Sequence, residues 1–401
     1  THLDTLQKAN YSWHIEGTMK LEIIGKFYDN QSLSIINRNL LLEMDKKETD
    51  VFITPIDSFD PKYNLDKEIV KIIKKYEALE KEEPDVQLRH SYPPIWQWPV
   101  SDKTKIVYIQ PWEWSRVPFE WQYKWETFAD AIITPSAWTA DVYAKGGLNP
   151  KKLTVIPNGY NPEIFNNNEE ESKFLDSSVF NFVYVGCGQF RKGADILLNA
   201  WKAAFVKADN VHLFIKDNTD VYGENSIFHQ IMRLQYYEDC GKITYNDDSL
   251  SDKDMANIYK NAFAIVHPYR GEGFGMHIQE AMACGAVPII TRGGPTDEFI
   301  PDNASMKINS EQRVVDLMSP EIFAGKPGDS LTLMNTHGWV LEPNMEGLRE
   351  GLQVLYHHHD KKVLQEKVNN YDNQNTWKNI TQAYIDLFEE LSKNGRKPER
   401  F

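Results

Sequence analysis

The stretch HPYRGEGFGMHIQEAMACGAVPIITRGGPTDEF, residues 267–299, decides how the chain reads. It leaves an apolar run, AFAIVHPY (262–269), crosses a glycine-rich turn from Gly271 to Gly275, and enters a helical pattern near Met276. A strand that empties through glycines into a helix leaves backbone N–H groups free at the helix's positive end, where an anion such as a diphosphate can sit. Two carboxylates flank the turn, Glu272 and Glu280, with seven residues between them. On a continuous helix, eight steps of about 1.5 Å would separate them by roughly 12 Å. Glycosidase acid/base pairs stand about 5–9.5 Å apart, so two separate hydroxyl-binding roles suit this spacing better than a hydrolytic couple.

A second turn has the same form. VGCGQFRKGADILL (185–198) runs from strand through glycines to helix, but reads G-x-G-x-x-R and so lacks the third glycine of a dinucleotide fingerprint. Arg191 and Lys192 put two cations where phosphate would lie.

Outward from these turns, short β-branched runs alternate with helical patterns, the rhythm of doubly wound α/β domains. Strands are expected at 19–27, 50–56, 85–90, 105–111, 130–136 and 153–159, with helices at 32–44 and 66–83. The rhythm restarts with strands at 180–186, 211–217, 242–246, 262–269 and 286–291, and helices at 194–205, 252–262 and 276–285. The polar stretch NPEIFNNNEEESKFLDSS (161–178) has linker composition and separates the two series. Two similar domains about a cleft are therefore expected, as the 401-residue length already suggests.

Composition narrows the classes. A net charge of -14 argues against a general nucleic-acid binder, because phosphate affinity needs excess basic charge. No apolar run approaches the roughly 20 residues of a membrane span, and no secretory signal opens the sequence. Cys187, Cys240 and Cys284 form neither a disulfide framework nor a metal pattern, so a cytoplasmic, reducing compartment is expected. The chain starts at Thr1 and ends in the basic tail NGRKPERF, as a piece of a longer protein would.

With EGFGMHIQE (272–280) and its continuation AMACGAVPIIT, the FRKG turn and VIPNGYNPEIF (155–165) in view, the chain resembles the family-4-type retaining glycosyltransferases of the GT-B fold. LRHSYPP (88–94), IQPWEWSRVP (109–118) and ITPSAWTADVY (133–143) resemble a subgroup of these enzymes, and the motifs follow in the right order. The resemblance implies two Rossmann-like doubly wound domains facing a central cleft. Residues 1–165, plus a C-terminal crossover helix at about 375–401, would form the acceptor side, and residues 166–374 the nucleotide-sugar side.

It also implies roles. Glu272, with Gly273, Phe274, Gly275 and Met276, would hold the donor sugar, and Glu280 the ribose. Arg191 and Lys192, beside Gly188, would neutralise the diphosphate leaving group without a metal. The donor would be a UDP- or GDP-linked sugar, the acceptor a glycan, protein or lipid-linked molecule, and the anomeric configuration would be retained. The sequence departs from the family where a Gly-Arg pair reads Gly188-Gln189, and where FYDNQS (27–32) replaces a glycine-rich loop.

Other residues are candidates beside these. His90 ends a strand expected to face the cleft, where the family places a polar residue near the donor sugar; a structural histidine is the rival. Glu113 ends the next strand in QPWEW, and Lys216 and Asp217 end another near the nucleotide pocket. Trp is crowded at positions 96, 98, 112, 114, 121, 125 and 138. Most suit a core, Trp121 and Trp125 sharing a helix face, with Trp112 and Trp114 the acceptor contacts. Lys67, Lys71, Lys74 and Lys75 give the 66–83 helix a basic face that suits peripheral membrane contact, though interleaved glutamates favour plain solvation. HHHDKK (357–362) reads as surface, since consecutive histidines on a helix point apart. The rivals are a nucleotide-sugar epimerase of the same fold, a binding partner that keeps the fold without catalysis and, weakest, a dehydrogenase.

Overall fold

The computed structural model describes residues 19–99, 101–217, 226–317, 337–357 and 361–393. The start of the chain, the basic tail and positions 358–360 of the histidine tract lie outside the described residues.

Two six-stranded parallel sheets organise the molecule. The first holds β1 (Leu21–Gly25), β2 (Val51–Pro55), β3 (Val86–His90), β4 (Lys105–Ile109), β5 (Ala131–Thr134) and β6 (Leu153–Val155), in the order β2-β1-β3-β4-β5-β6. Its helices are α1 (Ser32–Lys46), α2 (Lys67–Glu77), α3 (Phe119–Phe128) and α4 (Ala137–Lys145). The second sheet holds β7 (Phe180–Val185), β8 (Val211–Lys216), β9 (Lys242–Asn246), β10 (Ala264–His267), β11 (Val287–Thr291) and β12 (Met306–Ile308), in the order β12-β11-β10-β7-β8-β9. Between its strands run α5 (Ala194–Ala204), α6 (Ser226–Tyr237), α7 (Asp252–Asn261) and α8 (Met276–Ala283). Strands covered on both faces carry near-continuous apolar runs, and β4, β8, β10 and β11 are buried at every position.

In each sheet the strand order reverses once. The reversal falls between β1 and β3 in the first sheet and between β7 and β10 in the second. Ligands of open α/β sheets lie outside the carboxyl ends of strands at such switch points. Both glycine turns, after β7 and after β10, open at the second one.

The chain returns to the first sheet at its end. Trp377, Ile380, Tyr384, Ile385 and Phe388 of α11 (Trp377–Lys393) join the core that contains β1, β3 and α1. Before that, α9 (Met345–His357) and α10 (Lys361–Asn369) pack on the second sheet.

Two features depart from the sequence reading. The helix expected over 66–83 stops at Glu77, because the next residues crowd Glu80, Glu82 and Glu83 ahead of Pro84. An antiparallel hairpin, β13 (Ser310–Asp316) and β14 (His337–Pro343), arises where the sequence pattern marks no element. Its Val315 and Val340, with Leu317 just beyond β13, enter a core of first-half aromatics that includes Trp112, Trp114, Trp121 and Trp125. The tryptophan crowding thus packs one half of the chain against the other.

Candidate active site

A cavity of about 500 Å³ lies where the carboxyl ends of the two sheets meet. From the first half it is lined by residues 30–33, by 110–114 and by Asn158; from the second by both glycine turns.

Steric demands fix these turns. Gly193 sits at φ +71, and a Cβ there would lie 1.9 Å from the Pro268 carbonyl oxygen. The two turns are laced together, with the N–H groups of Arg270 and Gly271 donating to the Arg191 carbonyl at 2.7 and 3.2 Å. The Arg270 guanidinium clamps them further. It donates to Asp195 at 2.8 Å and to Glu342 at 2.8 and 3.0 Å, and lies 4.0 Å from the Phe190 ring centre. Gly275, at φ +100, ends the second turn and starts α8, whose first turn carries no acidic residue.

The charged groups meet in this frame. Lys192 donates to Glu272 at 2.5 Å, both side chains nearly buried, and Arg191 pairs with Glu113 across the halves at 3.4 Å. His267 Nε2 stands 3.4 Å from the same Glu272 oxygen. Burial would raise the Glu272 pKa, but the Lys192 charge, the His267 hydrogen bond and the Arg191 charge outweigh it and hold the carboxyl well below its ordinary range. Glu280, half-buried in the cavity wall, is pushed well above that range by burial and by the Asp252 carboxylate. The two glutamates of one motif are thus shifted in opposite directions because their surroundings differ.

The first half touches the second through the same loop. Ser136 donates to the Gly273 carbonyl at 2.8 Å, while a Cβ on Gly271 would come within 2.4 Å of the Glu113 carbonyl. The Glu298 carboxylate accepts from the N–H groups of Ala137 and Trp138, at 2.8 and 2.7 Å, at the start of α4.

The cavity brings together Arg191, Lys192, Glu272, Gly273, Phe274, Gly275, Met276 and Glu280, with Trp112, Glu113 and Trp114 opposite. Lys216 and Asp217 line it too, Asp217 accepting from Tyr245 at 3.1 Å. Two expectations need correction. His90 does not face the cleft: it is 0% exposed, off the cavity wall, and held at 2.8 Å by Asn37 of α1. Burial drives its pKa to about 3. Gly188 is also off the wall, which takes Gly186, Cys187 and Gln189 from that turn instead.

Trp112 and Trp114 show the cavity little surface. Both are buried, and the Trp112 indole N–H donates to the Arg116 carbonyl at 2.7 Å. Sequence reasoning passed over His267 and His277, whose rings meet at 4.3 Å beneath Glu272, and Gln110 and Asn158 on the cavity wall. His267 closes a strand and His277 lies inside the E-x7-E motif, positions that could have flagged both.

Comparison with known proteins bears on the family and the fold. Residues 165–318 match the family Glycosyl transferases group 1, and residues 72–164 match Glycosyltransferase Family 4. An uncharacterized glycosyltransferase of Methanocaldococcus jannaschii is 30% identical over 177 residues, 44% of each chain. The gpi3 subunit of phosphatidylinositol N-acetylglucosaminyltransferase from Schizosaccharomyces pombe is 25% identical over 172 residues, 41% of this chain and 34% of the relative. The chain thus spans less than half the length of these curated relatives. Among solved structures, Anabaena HepE in complex with UDP-glucose aligns with TM-score 0.61 at 12% identity, covering 93% of this chain and all of that one. Sucrose-phosphate synthase from Thermosynechococcus elongatus aligns with TM-score 0.62 at 14% identity, over 93% and 99%. At such identities the likeness is one of fold.

Proposed function

We propose, for a chain that belongs to the family-4-type glycosyltransferases of the GT-B fold, that it transfers a sugar from a UDP- or GDP-linked donor to a hydroxyl of a glycan, protein or lipid-linked acceptor. Anomeric configuration is retained and no metal takes part. The observation that carries this reading is the Lys192–Glu272 pair, with Arg191 beside it, on two glycine turns at the second switch point. Cations and a helix N-terminus there suit a diphosphate, and a carboxylate held ionised beside them suits sugar hydroxyls.

In this reading the diphosphate lies over Arg191, Lys192 and the start of α8. Glu272 and the backbone of Gly273–Gly275 orient the sugar, and Glu280 takes the ribose hydroxyls. The bond from the sugar C1 to the diphosphate oxygen breaks with its electron pair going to the phosphate. The two cations stabilise that developing charge. The acceptor oxygen bonds to C1 on the same face, and its proton passes to the departing phosphate. Contacts between the halves, such as Ser136 with Gly273, favour a closed cleft that excludes competing water.

We further assign residues 1–165 and about 375–401 to the acceptor domain, and residues 166–374 to the donor domain. The three described cysteines are free and buried, which supports a cytoplasmic setting. UDP-glucose, bound by one structural neighbour, and an N-acetylglucosaminyl donor, after the yeast relative, are the first donors to test. With an acceptor panel, we expect release of free nucleotide and a glycosylated product. A Glu272→Gln rate equal to wild type, or an epimerised donor without transfer, would sink the reading.

A further inference from the structure

One polar group on the cavity wall has no part in the chemistry above. Gln110 follows β4, lines the cavity and is only 3% exposed. Its Nε2 makes a long contact with the Pro111 carbonyl at 3.4 Å, while its shielded Oε1 meets no donor among the described residues. A buried amide oxygen without a partner costs stability, and native proteins keep few of them. Turning the amide over would set its oxygen against the Pro111 carbonyl, so the unpartnered end is the oxygen. Of the other unpartnered atoms among the described residues, the Trp125 indole nitrogen and the Tyr143 hydroxyl belong to residues off the cavity wall, whereas His277 Nε2 lies on a lining residue of the second half, away from β4.

The backbone around Gln110 is fixed and close to the sugar loop. Its N–H donates to the Ile133 carbonyl of β5 at 2.9 Å. Across the cleft, a Cβ on Gly273 would lie 3.3 Å from Pro111 Cβ and 3.5 Å from the Trp112 nitrogen. Gln110 therefore stands on a strand end pressed against the loop 272–275.

We infer that Gln110 is a specificity-determining residue that reads the transferred sugar, its Oε1 accepting a hydrogen bond from a hydroxyl or an acylamino N–H of that sugar. The inference rests on the donor reading of the cavity and names the group that tells one sugar from another. A site built around an unpaired acceptor rewards a sugar with a donor at that position. It rejects one with a second acceptor, such as a carboxylate, because two lone pairs would then face each other.

The test uses Gln110→Leu, which keeps the size and removes the acceptor. Calorimetric titration would give affinities for UDP, UDP-glucose and UDP-N-acetylglucosamine in wild type and variant. The better-bound sugar nucleotide is expected to weaken about tenfold, the loss of one hydrogen bond to a buried acceptor, while UDP is unchanged. The thermal midpoint should hold or rise, since the unpaired oxygen is gone. Equal weakening of UDP and sugar nucleotide, or no weakening of either, would overturn the inference and leave the donor reading standing. If wild type binds none of the three, and neither GDP nor GDP-mannose, the donor reading fails and takes this inference with it; if only the GDP pair binds, the same comparison is read on it.

Discussion

Lys192 and Glu272 form a buried ion pair whose removal can be followed in stability as well as in catalysis. Their side chains are 12% and 10% exposed and the charged atoms lie 2.5 Å apart. In Lys192→Met, Glu272 keeps the distant Arg191 charge, the 3.4 Å contact from His267 and the Gly273 N–H at 3.1 Å, but no charged partner in contact, against its burial. Breaking such a pair from one side costs about 3–5 kcal/mol, because the partner stays buried and uncompensated. At the lower bound this is roughly 6–12 °C in the unfolding midpoint of a unit of 150–250 residues. Glu272→Gln strands Lys192 in the same way and should cost a similar amount. In the double variant no charge is stranded, so the combined loss should fall short of the sum by at least about 1.5 kcal/mol. Scanning calorimetry of the four proteins at pH 7 measures this directly. Strictly additive losses, or single losses under about 0.5 kcal/mol, would refute the pairing and the charge state argued for Glu272.

Three further outcomes are expected. Burial lowers the pKa of His90 to about 3, of His212 and His267 to about 4, and of His277 well below the ordinary 6.5. A depressed folded pKa means that the unfolded chain binds more protons, so the stability from these neutral rings is present above pH 6.5 and lost as pH falls toward 4. The slope reaches at most about 5.4 kcal/mol per pH unit for four protons. Denaturant midpoints measured from pH 7.5 to 4.5 should drop, and His90→Asn should flatten that drop; an unchanged slope would count against the burial argument. Gly193→Ala forces a Cβ into the Pro268 carbonyl at φ +71. It should cost at least about 1–3 kcal/mol in denaturant unfolding and abolish nucleotide binding by parting the two turns; a stable, binding variant would contradict the lacing described. Glu298→Ala removes the carboxylate from the first two N–H groups of α4, leaving the Ser136 cap in place, and should cost about 0.3–1 kcal/mol, in a way that shrinks at high salt. Salt-independent unfolding of wild type and variant would show that the contact contributes nothing.

The sequence carried much of this in advance because its decisive signals are local. A β-branched run, glycines and a helix must fold as strand, turn and helix, so Gly193, Gly275 and the cations Arg191 and Lys192 just before Gly193 could be placed on their turns from spacing alone. Glu272 and Glu280 were legible as a pair, whereas the opposite directions of their pKa shifts were not, since those depend on Lys192 and Asp252 arriving from elsewhere. His90 misled because a strand end shows only that a residue is near the sheet's edge. Asn37, more than fifty positions away, decides that it is covered. The β13–β14 hairpin was hidden for a related reason. Only Val315 is buried along SEQRVVD, against first-half tryptophans, so no alternation marks the strand. Gln110 is invisible in principle from sequence, because an unpartnered atom is a property of the finished fold.

The central claim is that two cations on glycine turns hold a nucleoside diphosphate without help from a metal. The most direct measurement is calorimetric titration of UDP and GDP into the protein in excess EDTA, repeated with Lys192→Met. We expect one of the two nucleotides to bind in EDTA, and its affinity to fall by about tenfold or more in the variant, as for a lost charge-assisted contact. Binding that appears only when a divalent cation is added, or that is indifferent to Lys192, would contradict it.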